Sequence, residues 1–168
     1  ERLALVADVL WDATARVPTY DDAPNGPALC SSDEHVTAAA RKMAERLEAH
    51  PDLALVIDLE GELGGPASYI SLLQACVGIP KGEAGEHQEK LIYVFDTHLN
   101  KAALGASGPG SLRALLESGT VVKSLHCCNG DASSLHREYG IKLNCFIDTG
   151  LTDALLRRQG PCVQRGLG

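Results

Sequence analysis

The chain has 168 residues, of which 45% are hydrophobic, and a formal net charge of −7. That length suits one domain with a buried core, and no apolar run reaches the roughly 18–20 residues of a membrane span. The charge argues against tight unassisted binding to nucleic acid, but it is uneven: residues 1–84 carry 6 Lys/Arg against 14 Asp/Glu, and residues 85–168 carry 9 against 8.

Residues 1–16 place Leu3, Val6, Val9, Leu10 and Ala13 at helical spacing and are expected to form an appended helix. Residues 17–30, with Pro18, Pro24, Asn25-Gly26 and Pro27, read as a loop holding at most a short strand. Ser31 and Glu34 resemble a capping box for a helix that buries Val36, Ala40, Met43 and Leu47 and stops at Pro51. Strands follow at about 53–60, 69–77 and 91–95, separated by a Gly64-Gly65-Pro66 turn and a charged loop at 78–89. Residues 100–110 read as irregular. A short helix at 111–118 ends at Gly119, a fourth strand covers 120–125, and a helix at 131–139 ends at Gly140. A fifth strand at 145–147, a helix at 150–159 and an unpatterned tail complete the chain. The expected organisation is an extension at 1–29, a domain at 30–159 and a tail at 160–168. A hairpin followed by alternating helices and strands defines a mixed-sheet α/β domain.

The chain starts at Glu1 and not Met, which implies processing or a piece of a longer protein, and no secretory signal is visible. Six cysteines, at 30, 76, 127, 128, 145 and 162, form no C-x-x-C pair and sit mostly in apolar segments. They fit an intracellular, reducing compartment: cytoplasm, nucleus or organelle matrix.

The first candidate site is Asp58 and Glu60, at the end of the apolar run Leu53–Ile57. Residues two apart on a strand share a face, so these carboxylates stand about 7 Å apart along the chain. Neighbouring acids repel and lose solvation, and a hard divalent cation relieves both. A strand end emerging into solvent would also carry acids. The second candidate is His126-Cys127-Cys128-Asn129-Gly130-Asp131, at a strand-to-helix junction on the sheet edge where α/β folds place ligands. Asp131 taken alone reads as a helix N-cap before it reads as a ligand; beside Asp58, if the two strands are neighbours, it becomes a third converging carboxylate. A zinc site at His126-Cys127-Cys128 is disfavoured because adjacent strand residues diverge. Asp96 and Asp148, each followed by Thr, read as turn residues. Lys123, Arg137, Lys142, Arg157 and Arg158 are candidates for phosphate contact, with solvated surface as the default. No Walker loop, nucleophile elbow or dinucleotide fingerprint is present.

In order, Val56-Ile57-Asp58-Leu59-Glu60-Gly61, Ile70–Gln74, Leu91–Asp96, Leu112–Leu116, Val122–His126, Asp131–Gly140 and Phe146–Thr149 resemble one family. It is the 3′–5′ exonuclease domain of the ribonuclease D and Werner-exonuclease superfamily, the DEDD exonucleases. The D-L-E-G motif is similar to the branch that includes Egalitarian-like RNA-binding proteins. The resemblance covers about residues 30–156. It implies a ribonuclease-H-like fold, a mixed central sheet of about five strands flanked by helices, and a site of two Mg²⁺ or Mn²⁺ ions. Asp58, Glu60 and Asp131 match three of its acids, as catalytic residues and metal ligands. Leu59, Gly61 and Asn129 are the implied contacts to nucleic acid. Two ions clamp the attacking and leaving oxygens, releasing nucleoside monophosphates from single-stranded RNA or DNA 3′ ends, with RNA favoured.

The family's third motif, a Tyr or His with an Asp on a helix well after Asp148-Thr149, has no counterpart before Gly168, and Asp153 comes too early for it. Two expectations follow. One is a metal-dependent exonuclease domain, represented incompletely. The other is a non-catalytic descendant, with or without metal, that binds RNA or serves as a scaffold with protein partners in a larger assembly such as a ribonucleoprotein. Neither involves a membrane.

Overall fold

The apolar run before Asp58 lies in the middle of a six-stranded sheet. The computed structural model describes residues 18–24, 26–63, 67, 69–78 and 90–157. The expected helix at 1–16, the charged loop, Arg158 and the tail lie outside the described residues. The strands are β1 (Ala28–Cys30), β2 (Leu55–Glu62), β3 (Tyr69–Val77), β4 (Leu91–Asp96), β5 (Lys123–Leu125) and β6 (Phe146–Asp148). The helices are α1 (Asp33–Ala49), α2 (Ala102–Gly105), α3 (Leu112–Glu117), α4 (Asn129–Tyr139) and α5 (Thr149–Leu156). The strand order is β1-β4-β3-β2-β5-β6. Antiparallel β2, β3 and β4 form the centre, and β1, β5 and β6 extend it by parallel pairing.

Alternation along β2 separates two environments. Leu55, Ile57 and Leu59 are buried on one face, beside Leu73, Ala75 and Val77 of β3 and Tyr93 and Phe95 of β4. Helix α1 lays Val36, Ala39, Ala40, Met43 and Leu47 over that face. The Val, Met and Leu side chains among these contribute about 1.5–3 kcal/mol each of apolar burial, and the alanines less. Val56, Asp58 and Glu60 point to the opposite face, where Val56 is 45% exposed. The buried face thus fixes the register, and the register presents the acids outward.

The mixed sheet has six strands, the sixth being the short strand allowed within residues 17–30, which is β1 and pairs with β4. Strand β5 begins at Lys123 and not near Thr120, since Ser118 to Val122 form a turn held by the Ser118 hydroxyl. The interval read as irregular contains the single turn α2. Helix α1 is capped by Ser32 and not Ser31: Cys30 is still paired with Phe95, and the Ser32 Oγ accepts from the His35 amide at 3.2 Å. Gly140 does end α4 in the left-handed region (φ +67°), its amide bonding Leu135 and His136 carbonyls. Among the described residues, no helix is long and apolar enough to cross a membrane.

Candidate active site

Strand β2 ends in an irregularity that exposes its acids. The pairing with β3 shifts register between Glu60 and Gly61, a β-bulge of the kind that redirects strand ends. Gly61 has φ +148°, and a Cβ there would drive into the Tyr69 carbonyl oxygen. Only glycine lets the two strands approach so closely. Strand β5 runs parallel to β2 with Val56 level with Ser124, so two residues further on Asp58 comes level with His126. Helix α4 then starts at the edge of the sheet and carries Asp131 in its first turn, 8% exposed.

The electrostatics tie the three acids together. Burial, and next the Asp58 charge, push the Asp131 carboxyl up to about 6, with smaller contributions from Asp148 and Glu60. Glu60 is raised by burial and by Asp58. Asp58 is raised by burial, against a hydrogen bond from the Leu59 amide and the neighbouring His126. The fold therefore brings Asp58, Glu60 and Asp131 into one electrostatic neighbourhood. Among the described residues, however, no group of three or more His, Cys, Asp or Glu side chains closes on a common point that would hold a metal ion. The donors suit Mg²⁺ or Mn²⁺ in chemistry, since hard cations take carboxylate oxygens.

Asp148 is the residue whose reach the sequence did not reveal. Its carboxylate caps α5 through the Gly150 and Leu151 amides and also receives the Cys127 and Cys128 amides at 2.9 and 3.1 Å. Burial raises its pKa, but these hydrogen bonds outweigh burial and hold it below the usual range. The clamp holds Cys127 at φ +53°, a conformation rare for a side-chain-bearing residue. Thr149 holds the adjacent imidazole. Its hydroxyl donates to the Leu125 carbonyl, so its oxygen accepts from His126 Nδ1 at 3.0 Å, which leaves Nε2 available. The sequence signal was the repeated Asp-Thr at strand ends, here and at Asp96, whose carboxylate accepts from the Leu99 amide.

The implied nucleic-acid contacts divide. Gly61 borders the acids, and Asn129 is exposed at the start of α4. Leu59 is packed into the core, so its side chain is turned away from that edge. Asp131 is not the cap of α4; that position is Cys128. Lys123 is fully buried and donates to the Ser118 carbonyl, which removes it from phosphate contact. Arg157 pairs with Asp153 at 2.7 Å, and this occupies both.

An antiparallel three-stranded centre extended by parallel strands, flanked by helices, is the ribonuclease-H-like fold of solved exonuclease domains. Solved structures agree. The EXD2 exonuclease domain soaked in Mg and dGMP aligns with TM-score 0.55 and 24% identity, covering 86% of this chain and 61% of that one. Escherichia coli RNase D, an exoribonuclease involved in structured RNA processing, aligns with TM-score 0.53 and 20% identity over 84% of this chain and 31% of that one. Trypanosoma brucei RNase D gives 0.56 and 16% over 77% and 39%. The chain thus spans less than two thirds of each of these proteins. No family model and no curated protein sequence matched it.

Proposed function

We propose that the chain is a 3′–5′ exonuclease-like domain that hydrolyses phosphodiester bonds at single-stranded 3′ ends, RNA in preference, and releases nucleoside monophosphates. The observation that carries this reading is the shared electrostatic neighbourhood of Asp58, Glu60 and Asp131. A fold by itself assigns no activity, whereas three partly desolvated acids at the edge of the sheet, two of them raised further by the charge of Asp58, need a reason. Asp58, Glu60 and Asp131 would hold a Mg²⁺ or Mn²⁺ ion. When bound, the ion supplies positive charge at the scissile phosphate. Asn129 offers an amide at the same edge, and the His126 Nε2 lone pair is a hydrogen-bond acceptor, since Nδ1 donates to Thr149.

The alternative is a non-catalytic RNA-binding or scaffold component. It is favoured by the absence of a closed three-donor group among the described residues and by the net charge of −7. Incubation with 3′-labelled single strands and Mn²⁺, beside Asp58→Asn, separates the two. Monophosphate release by the parent, at least 100-fold slower in the variant, supports the enzyme. RNA binding without release supports the alternative, and equal release by both proteins refutes a role for Asp58.

A further inference from the structure

Helix α4 meets the sheet along one stripe. Asp131, Ser134 and Leu135 are buried, and Glu138 continues their spacing one residue before the helix ends. Asp131 and Glu138 therefore share a side of the helix, two turns and about 10 Å apart along its axis. The two ends of the stripe meet the two strands of the β2–β3 hairpin. Gly130, next to Asp131, lies against Leu63 just beyond β2. Glu138 reaches β3, where its carboxylate accepts from the Ile70 amide at 2.9 Å.

Ile70 stands at the bulge that ends the acidic strand. The register there steps from Glu60–Leu72 to Gly61–Ile70 and skips Ser71. Side chains and the next strand complete the irregular backbone. The Thr97 hydroxyl donates to the Ile70 carbonyl, and the Thr97 and His98 amides donate to the Ser71 carbonyl. Ile70 is 2% exposed, so loss of an acceptor for its amide is costly. Arg113 holds the same end of α4 through the Tyr139 and Gly140 carbonyls at 3.0 and 3.2 Å. Arg113 thus ties α4 to α3, whereas Glu138 ties it to the strand pair that carries Glu60.

We propose that Glu138 is a positioning residue for the acidic site. Its carboxylate pins the far end of α4 to the bulge and so holds Asp131 against Asp58 and Glu60. The bulge presents one acid and the helix another, and Glu138 joins the two. This role rests on the reading of Asp58, Glu60 and Asp131 as one site, and it involves no contact with substrate or metal.

The test compares Glu138→Ala and Glu138→Asp, whose carboxylate is one methylene short, with Glu138→Gln, which keeps an acceptor oxygen at the same reach. Tyr93→Phe is the control, since it deletes a side-chain hydrogen bond to the Pro24 carbonyl on the β1 side of the sheet. Two NMR readouts need neither metal nor turnover: hydrogen exchange of the Ile70 amide, and the side-chain carboxyl ¹³C resonances of Asp58, Glu60 and Asp131 at a fixed pH of 7.5. Exchange should be at least tenfold faster in the Ala and Asp variants, with the Glu60 and Asp131 resonances displaced. Glu138→Gln should restore both, and Tyr93→Phe should leave the resonances in place. The Kd for Mn²⁺ should rise at least fivefold in Glu138→Ala and return toward the parent value in Glu138→Gln. Parental resonances in both Glu138→Ala and Glu138→Asp would overturn the role, as would an equal displacement in Tyr93→Phe. No Mn²⁺ binding by the parent would count against the metal reading of the site alone, and the resonances would still decide the role of Glu138.

Discussion

Asp131 decides how the site responds to pH. Its carboxyl is pushed up to about 6, against roughly 3.9 in an unfolded chain. Between about pH 4 and pH 6 the folded protein therefore keeps a proton that the unfolded chain has lost, so stability falls as pH rises through that window. Asp131→Asn cannot titrate. It should be more stable than the parent at pH 7 by about 1–3 kcal/mol, the upper end being a two-unit shift at 1.36 kcal/mol per unit, with no gain at pH 4. Urea unfolding at the two pH values reads this directly, and a variant less stable than the parent at pH 7 would contradict it. Asp148 has the opposite sign: its pKa is depressed, so its contribution is present at neutral pH and is lost as pH falls through the folded value. Asp148→Ala removes the cap of α5 and strands the Cys127 and Cys128 amides, a loss of about 2–4 kcal/mol in thermal unfolding. The acids at 58, 60 and 131 were legible because two share a strand period and the third opens a helix. The second duty of Asp148 was not, because the contact from residue 148 back to 127 exists only once β5 and β6 pair.

Among the elements, β3 and β4 were readable almost to the residue, since central strands buried on at least one face appear as long apolar runs. Of the three-residue strands, β1 was allowed only as a short strand in a loop and β5 and β6 were displaced by one to three residues, because parallel pairing over such short spans leaves little periodicity. The bulge in β2 was legible only as the glycine after Glu60. Its necessity comes from the close approach of β3, so Gly61→Val should cost about 2 kcal/mol or more and should move Glu60 as well. Thermal unfolding checks the first effect and cation affinity the second. A fully stable Gly61→Val protein would show that the bulge can relax without consequence.

For the whole molecule, the charge and the fold pull in different directions. A net charge of −7 repels a polyanion, while the fold is that of solved exonuclease domains. On the proposed function, a divalent cation at Asp58, Glu60 and Asp131 would reconcile them by neutralising that acidic edge. The deciding measurement is Mn²⁺ titration followed by thermal unfolding at pH 5 and pH 7.5, on the parent and on Asp58→Asn and Asp131→Asn. The expected result is a saturable rise in Tm for the parent, larger at pH 7.5 because the ion competes with the bound protons, and abolished in both variants. An equal rise in all three proteins, or none in the parent, would contradict a cation site built from these acids.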